Sequence, residues 1–395
     1  MKPPIDIIVT RNPVADANMA TVANVTGRLD GEFVLISEAD GGFSLATVPL
    51  SMPAVDAAEA LTSWVGHRIA FLSPLQPNPA AQMVIWEGLI SEVRIEDGGQ
   101  TVSRSLASTH NRVEVIYSTI DTSTAPPTLG AQAKTAAADN AASQVLYGIR
   151  HLVYGIGGAT ATTAAQLRDV LLAQYGTPMA TMGGVAVGGA VVGEPACRVT
   201  LSCTGFIETL DKRIYSQTST TATATLDAIL KAILTGVGQF VSADQSGIAA
   251  NTATRSQYID GDLTARQVIG ALCALGDGAT GRRNYFGIYE QRRAEYVPEP
   301  TTVSYLVRKR DTSMVVMDAA TGAEVPGYLV RPGRVVRMPD LLPDALSWGS
   351  GPNADPRQFV IGSAVYTSGG GLTLTPVVDD PSQTSLARMG LSAIG

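Results

Sequence analysis

The sequence predicts a mainly β fold with α+β insertions, built as two small β-barrel or sandwich domains plus short helices, and three observations predict it. Two strand-rich blocks, Met83 to Tyr117 and Arg198 to Tyr215, each run into a Tyr-Ser pair. Asp-Gly-Gly turns recur at residues 40–42 and 97–99, where Gly supplies the positive φ that tight hairpins need. Helical periodicity is confined to a few short, one-faced stretches.

Taken in order, Gly31 to Leu50 reads as two strands joined at Asp40-Gly41-Gly42. Asp56 to Val65 reads as a short helix, with Ala57, Leu61, Trp64 and Val65 on one side and Gly66 as its stop. From Met83 the strands resume, Val84, Trp86, Gly88 and Ile90 alternating with Ile85, Glu87 and Leu89. That alternation places Trp86 in the core of the first β-domain. Ser118 to Pro127 is polar and ends in two prolines, the texture of a domain edge near residue 125. Ala131 to Tyr154 reads as helix from its Ala-rich start and as strand from His151 to Tyr154.

Thr163-Ala-Ala-Gln166 has capping-box spacing, so a helix carrying Leu167, Val170, Leu171 and Tyr175 and ending at Gly176 is expected. Gly183 to Gly193 reads as a loop. A Thr-rich run, Gln217 to Thr225, leads into a helix through Leu226, Ile229, Leu230 and Ile233. Thr264-Ala-Arg-Gln267 repeats the capping-box spacing before Val268, Ile269 and Leu272. Short strands follow at Asn284 to Tyr296, Thr301 to Val307, Ser313 to Met317 and Tyr328 to Val336, with two more between Phe359 and Val378 around Ser368 to Gly371. No period of 20 to 50 residues repeats, which disfavours a solenoid or propeller.

Of the 395 residues only 16% are charged, while 45% are hydrophobic; the usual charged share is about a quarter. A chain so poor in charge is expected to hide surface against neighbours, so oligomerisation is favoured. The net charge of −7 argues against wrapping nucleic acid through a basic face. It suits a conduit through which a polyanion slides without sticking. Cys197, Cys203 and Cys273 form no ligand pattern, and the even spacing of the first two puts them on one strand face as buried thiols. An odd count argues against a secreted disulfide scaffold. Met1 to Pro13 has no apolar h-region and no apolar run approaches bilayer length, so a soluble protein made in a cytoplasm is expected, without a membrane span.

Several patterns invite chemistry and are better read as structure. Gly276-Asp-Gly278-Ala-Thr-Gly281 matches the dinucleotide fingerprint letter by letter, but it follows a helix and precedes a strand, the reverse of what that site needs. His67, His110 and His151 are scattered, and no Gly-x-Ser-x-Gly elbow accompanies them. Asp379-Asp380 precedes Pro381 and reads as a solvated loop rather than an acid pair. Asn24-Val-Thr26 fits a glycosylation acceptor without a secretion signal to make use of it. No enzyme activity, cofactor or metal is expected. Arg282, Arg283, Arg292, Arg293, Arg308, Lys309, Arg310, Arg331, Arg334 and Arg337 gather in one quarter of an acidic chain, interleaved with Tyr285, Tyr289 and Tyr296. Because Arg and Tyr are enriched in interface hot spots, Arg282, Arg283, Arg292, Arg293, Tyr285 and Tyr289 are the candidate interface residues. Their other reading is a set of solvated strand faces paired with Glu290, Glu295 and Asp311.

The order of blocks resembles the hub proteins at the distal end of bacteriophage tails, related to the baseplate hubs of contractile and long flexible tails. The pieces that carry it are Trp86 to Ile90, Asn111 to Tyr117, Tyr147 to Arg150, Thr163 to Pro178, Cys203 to Leu210 with Arg213 to Tyr215, Gly287 to Glu290 leading to Tyr296-Val-Pro298, and Val330 to Gly333. Together they span about residues 20 to 376. The resemblance implies two tail-tube-like β-barrels, with 1–125 as the first, 126–195 as a connecting segment with one helix, 196–217 with 301–395 as the second, and 218–300 as an inserted α/β segment. It further implies a homo-oligomer, a threefold or sixfold ring around the DNA channel, made in the host cytoplasm and built into the virion tail. Its expected partners are tail-tube, tape-measure, tip or fibre proteins, with no sequence-specific nucleic acid. No functional residues carry over, and the absence of a lysozyme-like or peptidase segment leaves wall degradation unsupported. Two other readings stay open: another minor tail ring protein such as a distal tail protein, and a carbohydrate-binding or carbohydrate-cleaving β-protein that binds a receptor. With Trp64 and Trp86 in core-like contexts and only Trp348 besides, the carbohydrate reading is the weaker.

Overall fold

A computed structural model describes residues 5–74, 82–121, 123, 125–185, 196–215, 223–256, 263–311, 313–340 and 357–377. The chain opens with β1 (Asp6–Thr10), β2 (Thr21–Asn24), β3 (Val34–Glu38) and β4 (Gly41–Met52). Helix α1 (Ala54–Glu59) then widens into a π turn over Ala60–Trp64. Next come β5 (Arg68–Pro74), the sixteen-residue β6 (Gln82–Asp97) and β7 (Gln100–Ser105). The middle of the chain holds β8 (Arg112–Asp121), β9 (Thr128–Lys134), β10 (Ala138–Asp139), α2 (Ala141–Tyr147), β11 (His151–Ala159), α3 (Ala161–Tyr175) and β12 (Ala180–Val185). After β13 (Cys197–Thr204) follow α4 (Glu208–Asp211), β14 (Thr223–Thr225), α5 (Leu226–Val237), β15 (Thr254–Ser256) and α6 (Ala265–Leu275). The last third is β16 (Asn284–Ile288), β17 (Ala294–Pro298), β18 (Val303–Arg310), β19 (Ser313–Asp318), β20 (Val335–Arg337), β21 (Gln358–Thr367) and β22 (Leu372–Pro376). The fold is mainly β with a few short helices.

One sheet dominates, in the order β19-β18-β20-β21-β3-β4-β13-β6-β5-β1-β2. It curls, because side chains four strands apart in that order meet: the rings of Phe33, beside β3, and Phe71 on β5 lie 5.2 Å apart. Trp86 on β6 donates its indole N–H to the Ile36 carbonyl at 3.3 Å and packs edge-on against Phe71. Trp86 is therefore at the centre of the first core, fully buried with Phe71, Val48, Leu50 and Leu201. The curl, among the described residues, does not close into a barrel, one of the two forms, barrel or sandwich, expected for the β-domains. Among the described residues the path ends at β2, paired only to β1, and at β19, paired only to β18.

The reason lies in strands that divide their pairing along their length. The first half of β6 pairs with β5 and its second half with β7, while β21 passes from β20 to β3. Such strands peel into extensions instead of meeting the opposite edge. β13, which the sequence groups with the C-terminal strands, lies between β4 and β6 throughout. Its alternation Cys197, Val199, Leu201, Cys203 is buried on one face as the spacing predicts, and burial pushes the Cys203 thiol pKa up.

A second core joins the helices to the β16–β17 hairpin, with Leu226, Ile229, Leu230 and Ile233 of α5 against Val268, Ile269 and Leu272 of α6. Here the sequence reading holds in detail: Thr264 and Gln267 form both bonds of the capping box. The Gly276 to Gly281 motif is the turn from α6 to β16. That unit joins the main sheet where β16 runs parallel to the start of β4. The approach is so close that a Cβ on Gly42 would collide with the Ile288 backbone, and Gly42 also has φ +77°.

The third core is small. Val115 and Tyr117 of β8 pack with Ala159 and Ala164 under α3, in a separate sheet of β8 to β11. Three expectations shift around it. The cap of α3 is Thr160, whose hydroxyl accepts from the Thr163 N–H, three residues before the expected one. Val170, expected on one helix face with Leu167, Leu171 and Tyr175, is 58% exposed. Gly183, expected to open a loop, belongs to β12, which pairs with β7. The Tyr328 to Val336 stretch is likewise not one strand: Gly327–Leu329 is a 3-10 turn and only Val335–Arg337 pairs. Residues 186–193, most of Gln217 to Thr225, Trp348 and Asp379-Asp380 lie outside the described residues.

Candidate interaction surfaces

The arginine–tyrosine cluster forms around the β16–β17 hairpin. Tyr285 lies within β16 and Tyr289 directly after it, and both are buried, 3% and 5% exposed, because their rings fill the junction between the hairpin and the main sheet. The Tyr289 ring meets Phe43 edge-on at 5.5 Å. The Tyr285 hydroxyl donates to Glu299 at 3.2 Å, and burial pushes both phenol pKa values up.

The arginines point mostly to partners within the chain. Arg283 pairs with Asp40 and lies 5.5 Å from the Tyr285 ring centroid. Arg293 pairs with Asp244 at 3.3 Å. The Arg292 backbone N–H donates to the buried Glu87 at 2.7 Å and its guanidinium to the Phe240 carbonyl at 3.4 Å. Glu87 is balanced in turn by Arg68, 2.6 Å away. Arg282 contributes its backbone, donating to Thr280 at 3.3 Å and accepting from Asp277 at 2.7 Å. The structure thus places Arg283 and Tyr285 at the open end of the hairpin, and Tyr289 at its turn with Arg292 and Arg293, the Tyr289 N–H donating to the Arg293 carbonyl at 3.0 Å.

Arg331 is the member that sequence reasoning left out of the short set. It pairs with Glu290, reaches Glu295 at 2.7 Å, and stacks 4.7 Å over Tyr289. The two acids hold its pKa above the usual arginine value despite burial. A guanidinium shared by two carboxylates and a ring is a clamp between the hairpin and the 327–337 arm. Arg331-Pro332-Gly333 was visible as a motif, but nothing local announces partners 36 and 41 positions away.

A different stretch of the chain carries most of the exposed large apolar side chains. Of the eleven large hydrophobic residues exposed among the described ones, seven fall between residues 129 and 182: Leu129, Val145, Leu146, Tyr154, Val170, Met179 and Met182. Leu129 and Met182 are 68% and 69% exposed. They ride on the small β8–β11 sheet, its helices and β12. Of the three histidines, His151 contacts Glu114 at 3.1 Å, His110 lies beside Tyr175 and the His151 backbone, and His67 caps the turn after Trp64 through its backbone. Among the described residues no group of three or more His, Cys, Asp or Glu could hold a metal ion, and no helix is long and apolar enough to cross a membrane.

No family model matches the chain, and no curated protein does. Among solved structures it is similar to the tail protein from Neisseria meningitidis MC58, with 7% identity over 95% of this chain and 97% of that one and a TM-score of 0.42. It is also similar to the 43 kDa tail protein of prophage MuSo2 from Shewanella oneidensis, with 8% identity over the same shares, 95% and 97%, and a TM-score of 0.36. At identities and scores this low, what the chain does has to be read from its own residues.

Proposed function

We propose that the chain is a structural subunit of a phage tail, part of a threefold or sixfold ring in the hub at the distal end, around the channel through which DNA leaves. The observation that carries this reading is the concentration of exposed apolar side chains between residues 129 and 182, on a chain with only 16% charged residues. Exposed apolar side chains concentrated in one stretch of chain, spread over the β8–β11 sheet, its helices and β12, support contact with another protein, and closed cyclic symmetry is how one subunit hides a repeated surface. The order of sequence blocks resembling tail hubs supports the tail assignment, and the net negative charge suits a wall that does not hold DNA. Neighbouring tail-tube, tape-measure, tip or fibre proteins are the further partners of this reading.

The test is the mass of the purified chain by light scattering after size exclusion, with negative-stain images and antibody labelling of virions. A three- or six-copy ring located at the tail tip agrees with the proposal. A stable single copy that is also absent from particles contradicts it.

A further inference from the structure

The small sheet is open on both sides. β8 lies between β9 with β10 on one side and β11 on the other, and among the described residues β9 and β11 pair only with β8. The His151 N–H turns away from β8 and donates to the Lys212 carbonyl at 2.8 Å, so strand alternation points the backbone N–H and C=O of Val153 and Gly155 outward as well. The irregularity in the pairing of β11 with β8 begins only after Gly155. On the opposite edge the Thr135 N–H donates inward to the Val115 carbonyl at 2.9 Å, which turns the backbone groups of Gln132 and Lys134 outward. Exposed edges are normally blunted by Pro or charge, yet from Leu152 to Ala159 β11 has neither, and β9 has only Lys134 at its end. Two glycines add to this. A Cβ on Gly155 or Gly157 would meet no neighbouring atom within 4 Å, and neither residue takes the left-handed region, so nothing inside the chain calls for glycine there. Glycine within a strand weakens it and marks a place where another backbone comes close.

We propose that β11 of one copy adds to β9 of the next, so that the small sheets of neighbouring subunits run on as one. β11 is parallel to β8 and β9 is antiparallel to it, so the two edges meet as an antiparallel ladder when the sheets continue in line. In that ladder Val153 and Gly155 face Lys134 and Gln132 of the second copy, all four with outward backbone groups. The occupant is another copy because this one sheet carries both halves of the joint, on opposite sides of β8 and of matching length, seven residues in β9 and nine in β11. A joint between two different edges is head-to-tail, the kind that closes into a ring. Leu129 on β9 and Tyr154 on β11, both exposed, lie along the joined edges, where cross-strand neighbours cover them. The proposal rests on the reading of the chain as an assembling subunit and names the contact that joins the copies.

Cysteine cross-linking of the full chain tests it. The native cysteines are buried, and directly paired strands bring Cα atoms to about 5.5 Å, within disulfide reach. Gly155→Cys chains mixed with Gln132→Cys chains should form covalent pairs across copies, and neither chain should do so alone. Rings that form without such pairs overturn the joint and leave the ring reading standing. Pairs formed by Gly155→Cys alone overturn it in favour of a two-fold β11–β11 contact. A cross-linked mixture from a protein absent from virions keeps the joint and overturns the tail reading, and a chain that stays single at every concentration overturns both. The second readout is Val153→Pro, which removes one outward N–H and leaves the pairing with β8 intact. Native mass spectrometry should show assembly weakened about tenfold or more with unchanged circular dichroism, while Val153→Thr assembles as the wild type does. Unweakened assembly of a folded Val153→Pro chain overturns the joint; if that variant misfolds, the cross-link decides alone.

Discussion

Trp86 shows how far a single residue can be followed from sequence to energy. Its alternation with Val84, Gly88 and Ile90 marked it as a core residue, and it is fully buried between Phe43 and Phe71. Trp86→Ala removes the largest fully buried side chain of the first core, leaving a cavity that rigid strands on several sides cannot collapse. The expected loss is about 3 to 5 kcal/mol, read from denaturant unfolding; an unchanged midpoint would contradict the packing. The histidines give a second residue-scale expectation. Burial lowers the pKa of His67, His110 and His151 alike, with Arg11 adding to it at the first and Arg150 and Lys212 at the second. Each therefore binds its proton more readily in the unfolded chain, so stability is fully present above about pH 6.5 and falls as pH drops through the folded values. A Tm measured from pH 7.5 to 5 should decline below about pH 6.5, and His110→Gln should flatten part of the decline. A Tm that rises on acidification over that range would contradict the environments described.

Local chemistry wrote some elements plainly and others not at all. The α6 cap was legible because both bonds of the box are made by residues three apart, Thr264 and Gln267. Thr264→Ala should cost about 1 kcal/mol, seen as a lowered denaturation midpoint with unchanged helical content; no change would mean the cap is idle. The α3 cap misled because Thr160 and Thr163 are equivalent by type, and the hydroxyls of the two lie 2.9 Å apart. Only the backbone geometry selects the earlier one. The hairpin at Gly41-Gly42 was legible from turn chemistry, yet the docking of β16 on it was not, since it joins Gly287 to Gly41 across more than half the chain. The candidate arginines show the same limit. Their types were visible in the sequence, but Asp40, Asp244 and Glu87, which engage Arg283, Arg293 and Arg292, are brought to them only by the fold.

At the scale of the whole molecule, alternation made a mainly β chain legible, because period-two burial is a local property. Closure and strand order were not, because they depend on which distant edges meet: β13 enters between β4 and β6, and among the described residues the path stays open at β2 and β19. An open curled sheet, a clamp around Arg331, and a β8–β11 unit with exposed Leu129, Tyr154 and Val170 together describe a subunit with surface left to cover. The mass of the purified chain across a concentration series, by light scattering after size exclusion, tests that claim most directly. The account predicts a three- or six-copy species that Leu129→Ser with Met182→Ser disperses without loss of fold. A monomer at every concentration, or an oligomer indifferent to those substitutions, would contradict it.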